Sequence, residues 1–285
     1  MNIDNLPRRR AVNRLMEGVS LFAALVAVAL LALVVWSVAK RGAGALNLDL
    51  VTRSPVPFAF EPVRQGLANA FAGSLVLVGL ATVMALPTGI LAALYLTEFA
   101  RFSVRHAVSL ALDVLNGVPA IVIGIFVFGL VVAAHGQSAW AGGLALACLM
   151  LPLVTRATME VLLLVPVSLR EASLALGVPR WRTTLSIVLP QTIGGVVTGT
   201  VLAIARASGE TAPLLFTSSL ASQQVDWSPS HALQSIPVAI FELSESPDPA
   251  DHARAWAAAL VLLAFILLTS LTARRLAAGR IRTGG

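Results

Sequence analysis

An arginine and a glutamate lie four residues apart in an apolar stretch that is long enough to cross a membrane. Arg206 and Glu210 therefore share one face of a helix, where they can form an ion pair. An arginine near the middle of a span raises the free energy of insertion by about 2.5–3.5 kcal/mol, so its side chain should face the bundle interior or a water-filled path. The guanidinium offers a planar fork of donors that matches an oxyanion, and Glu210 would hold that fork. The alternative is a buried structural pair that fixes helix packing and contacts no substrate.

A proline that follows this pair is expected to interrupt the helix. Pro213 has no N–H group to donate to the carbonyl of Gly209, so the helix should kink or open beside the two charged residues. A charged break in mid-membrane is a common construction for a transport site. Arg206, Glu210 and Thr211 are therefore the candidate residues of a substrate pathway.

A second group of residues predicts a short helix that stands alone in a polar loop. Ser168 followed by Glu171 is a capping box, Gly177 suits a left-handed C-terminal cap, and Pro179 prevents continuation of the helix. Isolated helices shorter than about 12 residues are marginal in water, so this helix is expected to dock onto another surface. Its apolar face is predicted to consist of Leu169, Ala172 and Leu176.

The rest of the chain shows no pattern that supports catalysis. Only 12% of its 285 residues are charged and 57% are hydrophobic, which argues against a soluble enzyme. The single lysine, Lys40, is followed by Arg41, so the chain lacks the Gly-Lys-Ser/Thr step of an ATP-binding loop. One cysteine, Cys148, and four scattered histidines offer neither a disulfide nor a zinc motif. We therefore expect no enzymatic activity, metal or cofactor on this chain, and basic residues beside membrane spans explain its net charge of +6 without nucleic acid.

Six apolar runs are long enough to be membrane spans, and they predict an all-α, polytopic bundle of six transmembrane helices. The runs cover residues 18–39, 70–96, 117–134, 140–154, 193–218 and 255–272. Fourteen of the twenty basic residues fall on the side of the two termini and five on the other side, with Arg206 inside a span. The positive-inside rule therefore predicts that both termini are cytoplasmic.

Polar residues near the third and fourth spans have simpler interpretations. Asp113 and Asn116 precede the third span, where they are expected to cap a helix or an interfacial turn. Arg156 and Glu160 are one helical turn apart and are expected to pair below the membrane. The helix of the fourth span is expected to continue through Glu160.

The loop helix carries a longer motif that resembles a known family. Glu171, Ala172 and Ser173 are followed by Gly177 and, after nine residues, by the run 187–190, Ile-Val-Leu-Pro. This pattern resembles the EAA loop of the permease subunits of bacterial ABC importers, with Ser173 in place of an alanine. The resemblance implies a type I importer (MetI-like) permease fold, in which Glu171, Ala172, Ser173 and Gly177 belong to the coupling helix that contacts a cytosolic ATPase. ATP and Mg would then bind to that partner ATPase.

The stretch around Arg206 resembles one branch of this family, the PstA-type permease subunits of phosphate importers. Their signature Arg-Ala-x-Gly-Glu-Thr-Ala-Pro-Leu-Leu is matched at residues 206–215, with Ser208 at the variable place. Further agreement lies at residues 66–70, 87–89, 95–98, 117–124 and 151–156. The resemblance implies a PstC-like permease partner, two PstB-like ATPase subunits, a periplasmic phosphate-binding protein PstS, possible phosphate-signalling regulators, and a bacterial inner membrane location within the lipid bilayer.

The apolar runs, the distribution of basic residues and the resemblance together predict how the chain is divided. Residues 1–17 form a cytosolic tail, 18–39 the first transmembrane helix, and 40–67 a periplasmic segment. Residues 68–273 form the permease domain with its coupling loop at 166–190, and 274–285 form a second cytosolic tail. The two outer segments, 40–69 and 219–254, are either solvated connectors or contacts for a partner.

Three other functions are compatible with the sequence. The EAA loop is shared across importers, so the substrate could be another oxyanion or a small solute such as an amino acid. An ATP-independent secondary transporter or channel could use Arg206 and Glu210 as an ion or proton relay. A membrane signalling scaffold is the third alternative.

Overall fold

The computed structural model describes residues 6–56, 65–219 and 224–281 of the chain, and the regular structure within these ranges is helical, without strands. This confirms the all-α prediction. Thirteen α-helices follow one another in these ranges: α1 (Leu6–Gly42), α2 (Leu48–Thr52), α3 (Ala68–Leu94), α4 (Phe102–Gly117), α5 (Ala120–Val127), α6 (Ala133–His135), α7 (Ala139–Leu163), α8 (Val167–Ala175), α9 (Arg180–Thr183), α10 (Leu189–Ala207), α11 (Ala212–Thr217), α12 (Ile236–Glu245) and α13 (Pro249–Ile281). Short π-helical stretches at Tyr95–Phe99, Phe128–Val132 and Thr184–Val188 extend or join them.

Five helices of the described ranges are long and apolar enough to cross a membrane. They are Arg9–Ala45, Ala68–Phe99, Ala139–Leu163, Arg180–Ala207 and Pro249–Ala273. A sixth crossing exists if α4 and the helix Ala120–His135 are counted as one span with a 99° bend. The number of predicted spans agrees with this count, and α7 continues past Glu160 as expected.

The third and fifth predicted spans are interrupted in the structure, whereas the other four lie within longer helices. The third run, 117–134, does not form one straight helix, because Val118 is extended and α5 begins only after Pro119. A proline disfavours the helical conformation in the residue that precedes it. The fifth run, 193–218, was predicted as one span, but that helix starts at Arg180 and ends at Ala207. The apolar residues 212–217 form the separate helix α11.

The buried core lies between α3 and α7. Leu77 and Ala81 on α3 and Leu146 and Met150 on α7 are almost fully inaccessible and belong to one cluster. A Cβ atom added to Gly143 would lie only 2.8 Å from the Cβ of Leu80, so the absence of a side chain allows the two helices to approach closely. We call the end of the bundle that carries α8 and α9 the loop end, and the opposite end the far end.

The first helix packs at the edge of this core. The strongly apolar stretch of α1 is not buried by the rest of the chain. Its C-terminal end contacts α13, where a Cβ on Gly42 would clash with the backbone of Trp256. The guanidinium of Arg41 lies 4.9 Å from the centre of the Trp256 ring, which is a cation–π distance. Most of α1 is therefore open to lipid or to a partner.

Candidate functional site

The loop helix α8 begins earlier than its predicted cap. Pro166 is the residue before the helix, with φ −57° and ψ 138°, and no side chain caps the first turn. Ser168 is therefore inside the helix, and the prediction of a Ser168–Glu171 capping box is wrong. Proline suits this position because its φ is fixed near the helical value and it has no N–H group that needs a partner.

The C-terminal end of α8 agrees with the prediction for Gly177. This residue has φ +75°, the left-handed conformation in which a Cβ atom is unfavourable. Its N–H donates to the carbonyl of Leu174 at 2.9 Å, and the N–H of Val178 donates to the carbonyl of Ser173 at 3.2 Å. These two bonds are a Schellman motif, which satisfies the last carbonyls of the helix and turns the chain towards α9.

Arg170 fixes α8 to the membrane bundle. Its Nε donates to both carboxylate oxygens of Glu98 at 3.2 Å, and its Nη2 donates to Oε1 of the same residue at 2.8 Å. The guanidinium also donates to the carbonyls of Leu162, at 2.9 Å, and Val165, at 2.6 Å. The exposed fractions of the Arg170 and Glu98 side chains are only 20% and 10%. One side chain thus joins α8, the C-terminal end of α7 and the extension of α3, and we call this contact the Arg170 clamp.

A buried hydroxyl pair forms a second attachment of α8. The Oγ of Ser173 lies 2.8 Å from the Oγ1 of Thr183 in α9, and both residues are buried. A buried hydroxyl without a hydrogen-bond partner destabilises a fold. This contact therefore helps to hold α8 against α9. The serine that replaces the family's alanine therefore has a partner of its own.

The outward face of α8 contacts no other part of the described chain extensively. Leu169, Leu174 and Leu176 are all exposed, and so are Glu171 and Ala172. The apolar face predicted from Leu169, Ala172 and Leu176 is therefore present and uncovered. A cleft of about 380 Å³ lies beside it, bordered by Glu98, Arg170, Glu171 and Arg180 among others. The coupling role of Glu171, Ala172, Ser173 and Gly177 remains a prediction.

Arg206 and Glu210 lie where the prediction placed them relative to each other. The Nε of Arg206 is 3.8 Å from Oε1 of Glu210, which is an ion pair at the upper limit of distance. The exposed fractions of their side chains are 63% and 22%. No residue in the described ranges accepts a hydrogen bond from the Arg206 guanidinium. The pair therefore lies on an open surface of this chain and leaves the arginine donors available.

The helix opens beside this pair, as predicted. The helix α10 ends at Ala207, and α11 begins at Ala212, with Thr211 immediately before it. Pro213 occupies the first turn of α11, where its missing N–H group leaves no hydrogen bond unmade. The proline therefore starts a new helix and does not kink the old one. A Cβ on Gly124 of α5 would lie 2.6 Å from Cα of Pro213, so α11 is held tightly against α5.

Arg156 has different partners from the one predicted. Its Nη2 forms an ion pair with Asp113 and also donates to the carbonyl of Ser109 at 2.9 Å. The predicted Arg156–Glu160 pair is absent from the ion pairs of the described residues. The long arginine reaches across to α4 because α4 packs beside this part of α7. Asp113 thus joins two helices and does not cap one.

The chain between α11 and α13 folds back on the far end of the bundle. The hydroxyl of Ser218 accepts from the N–H of Leu233 at 2.9 Å and donates to its carbonyl at 2.8 Å. Asn69 donates to the side-chain carbonyl of Gln234 at 3.2 Å. This part of the predicted outer segments is packed and is not a solvated connector. Residues 57–64 and 220–223 of those segments lie outside the described residues.

Comparison with known proteins defines the class of protein. Residues 85–282 match the family described as the binding-protein-dependent transport system inner membrane component. The match covers more than half of the chain, so the chain belongs to this family and is a multi-pass membrane protein of transport systems.

Individual relatives in the family identify the branch. The chain is 38% identical to the phosphate transport system permease protein PstA of Haemophilus influenzae, over 93% of this chain and 94% of the relative. It is 41% identical to PstA of Yersinia pestis, over 93% of this chain and 90% of the relative. PstA 1 of Mycobacterium tuberculosis is 39% identical, over 93% of this chain and 87% of the relative. The resemblance to PstA subunits that the motif at residues 206–215 indicated is confirmed.

Solved structures with low sequence identity share the fold. A chain of a bacterial alginate ABC transporter superposes with a TM-score of 0.64 at 16% identity, over 94% of this chain and 96% of that chain. A chain of the MetNI methionine ABC transporter superposes with a TM-score of 0.57 at 17% identity, over 75% of this chain and 94% of that chain. The MetI-like permease fold is therefore confirmed.

If the Arg170 clamp holds α8 against the bundle, its loss should make the loop of α8 and α9 more accessible to protease. Arg170→Gln should increase trypsin cleavage after Arg180 by about tenfold or more, since a hydrogen bond to a charged group contributes about 1.5–3 kcal/mol. Glu98→Gln should increase cleavage less than Arg170→Gln does, because Arg170 keeps its bonds to the carbonyls of Leu162 and Val165. The double variant should cleave no faster than Arg170→Gln, because that variant already lacks the ion pair. Glu171→Gln is the matched control in the same helix. Equal cleavage of Arg170→Gln and wild-type protein would contradict the clamp.

The left-handed cap predicts the effect of a side chain at residue 177. Gly177→Val should distort the end of α8 and abolish solute uptake by the assembled transport system, while the protein still inserts into the membrane. Gly177→Asn is the control, because asparagine tolerates the left-handed conformation. Normal uptake by the valine variant in a normally assembled complex would show that the shape of this loop end does not matter for transport.

Proposed function

We propose that this chain is the permease subunit of an ATP-driven phosphate importer and forms half of the translocation pathway. The observation that carries the proposal is the open Arg206–Glu210 pair at the break between α10 and α11, in a chain whose relatives are PstA permeases. A charged residue exposed at membrane depth needs a polar neighbour, and a water-filled path that admits an anion supplies one.

The chemistry of the pair suits reversible binding of phosphate. An arginine presents donors in a planar fork that matches the oxygens of an oxyanion. A carboxylate 3.8 Å from Nε orients the fork and reduces its net attraction for an anion, so that the anion can leave again. Thr211 lies one residue beyond the pair and offers a hydroxyl to the same path. Tight binding would slow transport, so a partly neutralised arginine is better suited to the task.

The open side of the pair implies a second permease chain. The Arg206 side chain is 63% exposed in the single chain, and a PstC-like subunit that packed against this surface would enclose the path between the two subunits. A periplasmic phosphate-binding protein, PstS, would deliver the substrate at the far end. Regulators of phosphate signalling are further candidate partners.

Energy would enter through α8. Its exposed leucines, Leu169, Leu174 and Leu176, form an apolar surface at the loop end that fits a groove on a PstB-like ATPase. Two ATPase copies would bind ATP and Mg, and their closure would move the two coupling loops of the permease pair. The Arg170 clamp would make α8 and the adjacent ends of α3 and α7 move together. This chain would perform no chemistry itself.

The proposal includes an orientation, with the loop end and both termini in the cytoplasm of a bacterium and the far end in the periplasm. Single cysteines at Arg180 and Ser230 in a Cys148→Ala background should label from opposite sides of the inner membrane. Ser230, which is exposed at the far end, should react from the periplasm. If both positions react from the same side, the arrangement of spans is wrong.

The pathway residues can be tested by separating transport from assembly. Arg206→Gln keeps a side chain that can donate hydrogen bonds but removes the charge and the fork, so phosphate uptake should fall to background while the subunits still assemble. Glu210→Gln should slow uptake, since the arginine charge is then unpaired. Uptake is normalised to recovered complex, and Arg53→Gln at the far end is the matched control.

The double variant distinguishes the two roles. If the pair only stabilises the fold, Arg206→Gln with Glu210→Gln should restore both assembly and uptake, because no uncompensated charge remains. Restored uptake in the double variant would therefore contradict the transport role. Abolished uptake in a fully assembled double variant would support it. Recovery of the chain without an ATPase after gentle extraction would favour an ATP-independent transporter.

A further inference from the structure

The helix α4 is almost entirely exposed although it lies between two parts of a membrane bundle. It runs from Phe102 to Gly117, and Leu112 is its one buried residue. A bend of 99° separates it from the helix Ala120–His135. A segment that crosses the bilayer and then turns by a right angle must continue along the membrane plane.

The depth of α4 follows from two lengths. The helix Ala120–His135 has sixteen residues and therefore rises about 24 Å, which is less than the hydrocarbon thickness of about 30 Å. Only residues 136–138 connect it to α7, so the two helices pack antiparallel, and Val127 and Val132 belong to one cluster with Ala141 and Ala145 of α7. Arg156, which binds Asp113 of α4, lies about 26 Å along α7 from its first residue. Both lengths place α4 at the inner edge of the hydrocarbon, at the loop end.

The two faces of α4 differ in polarity. At 100° per residue, Arg105, Ser109, Asp113 and Asn116 fall on one side of the helix. The opposite side is apolar, and its Leu110 and Val114 are 59% and 61% exposed. Interfacial helices bury such an apolar face about 5–10 Å into the boundary between headgroups and acyl chains. An α4 at this depth would account for the difference between the length of the helix Ala120–His135 and the thickness of the hydrocarbon.

The attachment of α4 leaves its apolar face directed away from the bundle. Leu112 packs into the cluster that includes Met159 and Leu162 of α7. On the polar side, Arg156 binds Asp113 and the Ser109 carbonyl. The contacts with α7 therefore use the polar side and Leu112, and the surface around Leu110 and Val114 remains open to the surroundings.

The positive charges of the two arginines at the start of α4 favour lipids with anionic headgroups. Arg101 and Arg105 form no ion pair with any residue in the described ranges. The acid of the helix, Asp113, is already neutralised by Arg156. Two arginines without an ion-pair partner in the described ranges attract anionic headgroups when they lie at the headgroup level.

We infer that α4 is an in-plane anchor that binds anionic lipid, with its Leu110 and Val114 face on the acyl chains and Arg101 and Arg105 on the headgroups. The anchor would fix the depth of α5, and through Gly124 and Pro213 the position of α11 beside the Arg206–Glu210 pair. The inference rests on the geometry of α4 and holds whatever solute the transporter carries.

Fluorescence quenching in nanodiscs that contain the whole transporter tests this placement. Single fluorophores are attached to cysteines at Val114 or Asn116 in a Cys148→Ala background, and lipids carry a nitroxide on the acyl chain. The Val114 label should be quenched as strongly as a control label at Leu25 of α1, whereas the Asn116 label should be quenched only weakly. A Val114 label that is shielded from the lipid nitroxide, by a partner chain or by water, would overturn the inference.

A second measurement tests the choice of lipid. Nitroxide-labelled phosphatidylglycerol should quench the Val114 label more strongly than nitroxide-labelled phosphatidylcholine does at the same fraction. The double variant Arg101→Gln with Arg105→Gln should abolish this difference, while Arg53→Gln at the far end should not. Equal quenching by the two lipids in the unaltered helix would overturn the preference for anionic lipid.

Discussion

The position of the loop helix depends on one guanidinium group. Arg170 satisfies carbonyls at the end of α7, where the helix itself provides no donors, and it neutralises a carboxylate on the extension of α3 that is 90% inaccessible. Removal of the arginine would leave Glu98 as a nearly buried charge without a partner, which is strongly unfavourable. A rigid joint is needed here, because a helix of nine residues cannot hold its own shape or transmit a force.

Breaks in helices provide the rest of the functional geometry. Pro119 turns the chain by about a right angle and separates α4 from the helix Ala120–His135. Pro166 precedes α8, and Pro213 lies in the first turn of α11 after the opening beside Arg206. At each position the proline lies at or next to the start of a helix, where its missing N–H group has no unfavourable effect. The interruptions are therefore stable features of the fold and not local strain.

Features that depend on neighbouring residues in the sequence could be predicted. The left-handed conformation of Gly177, the proximity of Arg206 to Glu210 and the opening near Pro213 follow from local chemistry. Contacts between distant residues could not be predicted. Arg170 and Glu98 are 72 residues apart, and the sequence around each residue does not indicate that the other is its partner. The same limit explains the wrong prediction of an Arg156–Glu160 pair. Arg156 instead pairs with Asp113, which lies on another helix.

The end of the fifth span was misplaced for a different reason. Residues 212–217 are as apolar as the helix before them, so hydrophobicity alone does not reveal that α10 has ended. The start was misplaced because Arg180 and Arg182 make the first turn polar, although it continues into the same helix. Hydrophobicity locates a span, and the hydrogen bonds at its ends determine its bounds.

The central claim is that α8 and the ends of α3 and α7 move as one body while ATP drives the transport cycle. Spin labels at the exposed residues Ala175 and Tyr95, in a Cys148→Ala background, report the distance between α8 and the extension of α3 in the assembled transporter. Phosphate uptake by the labelled complex verifies that it completes the cycle. If the Arg170 clamp stays closed, the distance is the same in the nucleotide-free and ATP-bound states. A change of about 5 Å or more, one helical turn, would contradict the central claim.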